Sequence, residues 1–340
     1  MKSSGKIQIF SDSKRAKFRR RLLTWYDAHA RDLPWRASQD PYRIWLSEIM
    51  LQQTRVAAVI EHYHEFLRRF PTVEKLAAAR DSSVLAAWSG LGYYRRARML
   101  HAAAKVVVRE HGGKFPAVAQ ELLALPGVGR YTSAAIASIA FGEPVAVVDG
   151  NVERVLHRVS GQRLAGEELW NAAEKMLDRA RPGDFNQAMM ELGATVCTPR
   201  APACLTCPVV ELCATRGELA GAAKPARQKK REIHYALDLR EEDGREGKVF
   251  LVQRPRDASL MAGMWELPEI ERPAGTAKAD IVARHSITIT DYRVHVWRTI
   301  SPDGAPGKWI ALRQLRKVAM TGLSRKILGR SGVLRSRLSK

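Results

Sequence analysis

Leu122-Leu123-Ala124-Leu125-Pro126-Gly127-Val128-Gly129-Arg130-Tyr131-Thr132-Ser133-Ala134-Ala135-Ile136 is the stretch on which the fold turns. It reads as an apolar helix that stops at Pro126, a tight Gly-Val-Gly hairpin, and a second helix that begins near Tyr131. The two glycines let backbone N–H groups approach an anion closely, and the second helix's N-terminus adds its partial positive charge. Together they make a phosphate clamp that reads no sequence. A lone G-x-G would favour an ordinary helix–helix turn; the unbroken L-P-G-V-G-R string is much more specific.

Outward from the hairpin, residues 17–216 read as one mainly helical domain preceded by a tail, residues 1–16. Apolar residues recur at helical spacings, as in Ile44, Leu51 and Val56 with Trp45 and Ile49, and Leu46 and Met50, between them. Breaks fall at Phe70-Pro71-Thr72, Gly90-Leu91-Gly92, Gly112-Gly113 and Arg181-Pro182-Gly183-Asp184. Helices joined by short loops imply a compact all-α arrangement. Residues 217–232 are rich in Ala, Gly, Lys and Arg and read as an exposed linker. Residues 233–340 change character. Tyr235 to Leu239, Lys248 to Gln253 and Ser286 to Thr299 read as strands, with Ile287 and Ile289 alternating with Thr288 and Thr290. Ala311 to Leu328 reads as a closing helical segment. The expected fold class is therefore mainly α, followed by an α+β domain.

Lys and Arg number 56 against 35 Asp and Glu, a net charge of +21. So large an excess sets up a positive field that attracts polyanions, of which nucleic acid is the commonest. No stretch approaches the roughly 20 apolar residues of a membrane helix. Residues 1–13 lack the apolar core of a signal peptide. The expected compartment is the cytoplasm.

The 4 cysteines, Cys197, Cys204, Cys207 and Cys213, follow the spacing C-x6-C-x2-C-x5-C. A disulfide framework would be scattered, and a reducing cytosol would not maintain it. Clustered metal ligands are the better reading. Four thiolates at this spacing can hold either a zinc ion or an iron–sulfur cluster, and spacing alone does not choose.

Two carboxylates stand out. On a helix, Glu48 would share the apolar face of Ile44 and Leu51, which should raise its pKa towards neutrality. Position alone favours a partly buried Glu paired with an Arg. Asp149 ends the apolar run Val145-Ala146-Val147-Val148 where a helix begins, so it reads as an N-cap. Capping also keeps a carboxylate ionised, because backbone donors favour the charged form. A protonated Glu with an ionised Asp is the pair that glycosidic cleavage uses.

These strings resemble the helix-hairpin-helix DNA glycosylases, and within them the MutY-type adenine glycosylases. The likeness rests on L-P-W-R (33–36), W-L-S-E-I-M-L-Q-Q-T (45–54), G-L-G-Y-Y-R-R-A-R (90–98), L-P-G-V-G-R-Y-T (125–132), D-G-N-V (149–152), F-N-Q-A-M-M-E-L-G (185–193) and the four cysteines. It implies a hydrolase that removes adenine mispaired with 8-oxoguanine or guanine in base excision repair. It also implies a [4Fe–4S] cluster at Cys197, Cys204, Cys207 and Cys213. Glu48 would protonate adenine N7, Asp149 would stabilise the sugar cation and Asn151 would help order the site. Endonuclease III-type enzymes carry a lysine where this chain has Tyr131. A tyrosine cannot form their Schiff base, so cleavage should stop at an abasic site, with Tyr131 beside the flipped nucleotide.

Gln53, Leu91 and Tyr93 match residues that wedge into the duplex, and Arg154 matches one linking the cysteine region to the Asp149 segment. Arg36, Gly127 and Gly129 complete the expected DNA contacts of the helical domain. The resemblance further implies a monomer acting on duplex DNA, nucleoid-associated and free of membrane. Val249-Phe250-Leu251-Val252-Gln253-Arg254-Pro255 and Gly263-Met264-Trp265-Glu266-Leu267-Pro268 resemble the family's Nudix-like C-terminal domain. The Glu-rich metal box of Nudix hydrolases is absent. Where the family senses 8-oxoguanine with Phe-Ser-His, this chain has Ile287-Thr288-Ile289, which leaves Thr288 as the one retained hydroxyl. Two rival readings share many of these features: a mismatch thymine glycosylase, and a non-catalytic DNA damage-binding protein. Intact Glu48 and Asp149 argue against the second.

Overall fold

The computed structural model of the chain describes residues 10–219, 229–242, 245–255, 257–258, 261–274, 278–287 and 290–334. Among the described residues eleven α-helices come first: α1 (Asp12–His29), α2 (Pro41–Leu51), α3 (Val56–Arg69), α4 (Val73–Ala77), α5 (Asp81–Trp88), α6 (Arg95–His111), α7 (Ala119–Leu122), α8 (Arg130–Phe141), α9 (Gly150–Ser160), α10 (Gly166–Met176) and α11 (Pro182–Thr195). Then come β1 (Lys229–Ala236), β2 (Leu239–Glu242), β3 (Arg245–Gln253), β4 (Trp265–Glu266), β5 (Ile281–Ile287), β6 (Thr290–Trp297), β7 (Gly307–Ala311) and α12 (Gly322–Arg330). The chain divides into two compact units. One comprises Met1–Tyr63, Thr72–Glu74 and Ala102–Ala223, the other His64–Pro71, Lys75–His101 and Lys224–Lys340. The break between Ala223 and Lys224 falls within the expected linker, residues 217–232, and α5 and the start of α6 group with the sheets.

In the first unit, α2 starts on Asp40, whose side chain accepts a hydrogen bond from Tyr42 N at 2.9 Å, with Pro41 in the first turn. Tyr42 and every residue from Ile44 to Met50 are buried. A helix apolar on all sides belongs inside a unit, and α2 packs there against α8. α8 also packs on α7 and α11, and α11 on α1 and α9. Gly193 permits the last contact, since a Cβ there would stand 2.6 Å from Asn151 Cβ. Of the expected tail, residues 1–9 lie outside the described residues. α1 already starts at Asp12, and Phe10 is buried with its ring 6.0 Å from that of Phe18.

The expected hairpin lies between α7 and α8. Gly127 has φ 75°, Val128 N donates to Leu125 O at 3.1 Å, and Gly129 caps α8 with open space where its Cβ would be. α8 starts at Arg130, one residue before the position read from sequence.

The second unit carries two sheets. One has the order β1-β6-β5, with β1 parallel to β6 and β6 antiparallel to β5; the other has the order β2-β3-β4, with β7 paired to β3. Val249, Leu251, Leu267, Val294, Val296, Leu315, Met320 and Ile327 form its core. The α+β expectation holds, with three corrections. Lys229-Lys230-Arg231, read as linker, are the exposed first residues of β1. Ser286 to Thr299 is not one strand, because Ile287 pairs with Thr290 and the chain reverses between β5 and β6. Ala311 to Leu328 is also broken: a 3-10 turn over Leu312–Lys317 ends before Thr321, whose side chain caps α12 by accepting from Ser324 N. Among the described residues, no helix is long and apolar enough to cross a membrane.

Candidate active site

Glu48 lies on the buried face of α2 with 6% of its surface exposed. Its partner is not an arginine. Tyr131, in the first turn of α8, donates its hydroxyl to Glu48 Oε2 at 2.6 Å, and Met190 Sδ of α11 lies 3.4 Å from the same hydroxyl. Burial is the largest influence on Glu48 and raises its carboxyl; the Tyr131 hydrogen bond lowers it, the charge of Asp149 raises it and that of Arg36 lowers it. The result is pushed up to about 7. Burial, followed by the charges of Glu48 and Asp149, lifts the Tyr131 phenol well above its ordinary value, so Tyr131 remains a donor at neutral pH. One carboxyl can therefore hold or release a proton near neutrality beside a hydroxyl that cannot.

Asp149 caps α9. Its Oδ1 accepts from Asn151 N at 2.9 Å and Val152 N at 2.8 Å, while Oδ2 accepts from Asn151 Nδ2 at 2.8 Å. Replacing such a cap typically costs about 1 kcal/mol of stability. Arg154, one turn on, donates to Asn151 Oδ1 at 2.8 Å, Gly193 O at 2.6 Å and Cys197 O at 2.7 Å. The aspartate is thus tied through Asn151 and Arg154 to the start of the cysteine segment.

Sequence reading overlooked Glu191, which is 1% exposed on α11. Arg31 Nε reaches its Oε1 at 2.6 Å and Arg36 Nη2 its Oε2 at 2.7 Å. Burial raises this carboxyl, but the hydrogen bonds and charges of both arginines outweigh it and hold the group below the usual range. Arg36 was expected to meet DNA. Its guanidinium is instead committed internally to Glu191, to Arg31 O at 3.0 Å and to the Tyr26 ring at 5.4 Å. The Glu in F-N-Q-A-M-M-E-L-G was visible in sequence, but its partners lie about 155 residues away.

The other expected DNA contacts differ in presentation. Gln53 is exposed with φ 54°, in the first unit. In the second unit Tyr93 is 46% exposed with φ 47°, whereas Leu91 is buried at 6%. A left-handed conformation at a residue other than glycine costs on the order of 1 kcal/mol or more and concentrates at functional sites. Thr288 and Ile289 lie outside the described residues.

Cys197, Cys204, Cys207 and Cys213 are all free thiols and line one cavity, walled by Val155, Val159, Leu192, Val196 and Val209. Arg158, itself buried, donates Nη1 to Cys197 Sγ at 3.3 Å, and Arg216 N donates to Cys213 Sγ at 3.4 Å. Burial pushes the Cys207 thiol up to about 11, with smaller contributions from the other three sulfurs. The four sulfurs border one cavity, with a buried cation at Cys197 and a backbone N–H at Cys213. Thiols of this kind have the donor chemistry of a soft, sulfur-ligated metal group, while among the described residues no three His, Cys, Asp or Glu are arranged to hold a metal ion.

Residues 46–177 match the family described as HhH-GPD superfamily base excision DNA repair protein. The chain is similar to the adenine DNA glycosylase of Homo sapiens, with 42% identity over 313 residues covering 74% of this chain and 57% of that protein. It is similar to the adenine DNA glycosylase of Schizosaccharomyces pombe (strain 972 / ATCC 24843), with 33% identity over 320 residues covering 75% of this chain and 69% of that protein. Its fold is similar to a solved thermostable thymine-DNA glycosylase, with TM-score 0.57 and 34% identity over 60% of this chain and 97% of that one. The chain thus spans a little over half the length of the human relative, 57%.

Proposed function

Because the chain belongs to the MutY-type adenine DNA glycosylases of the HhH-GPD superfamily, we propose that it hydrolyses the N-glycosidic bond of adenine mispaired with 8-oxoguanine or guanine, leaving an abasic site. The observation that carries this reading is Glu48: buried, pushed up to about 7, held by Tyr131 and within the field of Asp149.

The target adenine is first extruded from the stack, at a cost of a few kcal/mol. Protonated Glu48 donates to adenine N7. The C1′–N9 bond then breaks, its electron pair leaving with a neutral base, and the sugar becomes an oxocarbenium-like cation. Asp149 faces that cation electrostatically. Water adds to C1′ and gives its proton to Glu48, now ionised, which restores the starting state. Asn151 and Arg154 hold Asp149 in place, and Tyr131 holds Glu48. With a phenol in place of an amine at residue 131, no Schiff base forms and the strand is not cut.

Gly127, Gly129 and the N-terminus of α8 receive a backbone phosphate, while the exposed Gln53 and the exposed Tyr93 each contact duplex DNA. Cys197, Cys204, Cys207 and Cys213 would hold a [4Fe–4S] cluster, which would cross-link the segment following α11, and Arg158 and the Arg216 N–H would offset its negative charge. The protein acts as a monomer on duplex DNA, and Ile287-Thr288-Ile289, in place of Phe-Ser-His, lowers its preference for 8-oxoguanine over guanine opposite the adenine. Adenine is favoured over thymine because the human adenine glycosylase matches over 74% of the chain, against 60% for the thymine-DNA glycosylase. The test is Glu48→Gln, which should bind a mispaired duplex with unchanged affinity and lose nearly all excision. Full excision by that variant would end the mechanism.

A further inference from the structure

Three residues of the loop Gly90-Leu91-Gly92-Tyr93 sit in left-handed backbone conformations, with φ 113° at Gly90, 68° at Gly92 and 47° at Tyr93. A tyrosine does not rest in that region unaided. The hydrogen bonds around the loop show what holds it there. Arg96, in the first turn of α6, donates Nη2 to Leu91 O at 3.0 Å and to Gly92 O at 3.3 Å. Its guanidinium carbon lies 5.4 Å from the centroid of Trp88 and 5.5 Å from that of Tyr93. Trp88 Nε1 donates to the same Gly92 O at 3.1 Å. The loop's two ends are fixed as well, by Ser89 Oγ and Tyr94 OH donating to Met320 O at 3.0 and 2.8 Å.

Arg96 thus differs from its neighbours Arg95 and Arg98, which are exposed and free of this role. Burial lowers Arg96 to about 10, which leaves it charged at neutral pH. A lysine could not replace it, because the fork and the flat face are both in use.

We propose that Arg96 is a positioning residue that locks the Gly90–Tyr93 loop and presents the exposed Tyr93 ring to DNA. The inference rests on the proposed function, in which Tyr93 contacts duplex DNA. Arg96 touches neither the base nor the sugar and acts through Tyr93.

The test is a double-mutant cycle of Arg96→Met and Tyr93→Ala. It is read by single-turnover adenine excision at saturating enzyme, and by fluorescence of 2-aminopurine placed beside the target adenine. Arg96→Met should slow excision by about 10- to 100-fold and reduce the unstacking signal, as loss of alignment does. In the Tyr93→Ala background the same change should cost less than about threefold, because contacting residues are not additive. An equal loss in both backgrounds, or a single variant within about twofold of wild type, would overturn the proposal. Arg96→Lys, which keeps the charge, serves in place of Arg96→Met should the latter not fold, with the same expectations. Limited chymotrypsin digestion at Tyr93 separates this proposal from the function on which it rests. Cleavage should accelerate in the Arg96 variants whether or not the wild type excises adenine, and unchanged cleavage counts against the lock. A wild type that excises no adenine refutes the proposed function alone.

Discussion

Glu48→Gln should stabilise the protein, and more so in alkali than in acid. The carboxyl is raised from 4.5 to about 7 in the folded protein. Between those values the native state binds more protons than the unfolded chain, so stability falls as pH rises through that window. At pH 8 the shift of about 2.5 units corresponds to roughly 3 kcal/mol of stability lost to the ionised group. At pH 5, where the unfolded group is only partly ionised, the loss is about 1 kcal/mol. Glutamine fills nearly the same volume, cannot ionise and still accepts from Tyr131, so it removes this penalty at both pH values. Urea unfolding of wild type and Glu48→Gln at pH 5 and pH 8 reads the difference directly. The variant's advantage should grow by about 2 kcal/mol between the two conditions. A variant destabilised equally at both pH values would refute the claim that a buried, strained acid occupies this position.

Three further outcomes follow from the same geometry. Single-turnover excision should decline as pH rises through about 7, and Tyr131→Phe should move that decline to higher pH, since the lost hydrogen bond was lowering the Glu48 value; a decline at unchanged pH would separate Tyr131 from the acid. Asp149→Ala should lower stability by about 1 kcal/mol for the lost cap and lower the excision rate far more than Asn151→Ala does, which thermal melts and excision rates compare. The purified protein should be brown with broad visible absorbance, and Cys204→Ser should bleach it; a colourless protein carrying one zinc ion per chain would contradict the cluster.

Much of the site was legible because its chemistry is local. The L-P-G-V-G-R string contains its own turn and its own helix start, and the structure displaces that start by one residue only. Asp149 as a cap needed nothing beyond the next three residues, whose N–H groups it engages. The burial of Glu48 was legible from its apolar neighbours, its role only from the W-L-S-E-I-M-L-Q-Q-T string, and its partner from neither. Tyr131 is 83 residues away, and periodicity says nothing about which helix will lie across α2. The same limit explains Arg36. The L-P-W-R string placed Arg36 among the expected DNA contacts, and only the folded α11 brings Glu191 to it. The parallel pairing of β1 with β6, which draws Lys229–Arg231 out of the supposed linker, is likewise non-local. Arg96 escaped notice because a run of arginines in sequence looks uniformly solvated, whereas helical geometry turns one of them inwards.

The most direct test of the account is single-turnover excision on four duplexes, carrying adenine opposite 8-oxoguanine, guanine or cytosine, and thymine opposite guanine. The account predicts release of adenine opposite 8-oxoguanine and guanine, little release opposite cytosine, and no loss of thymine. Release of thymine with adenine left intact would contradict it.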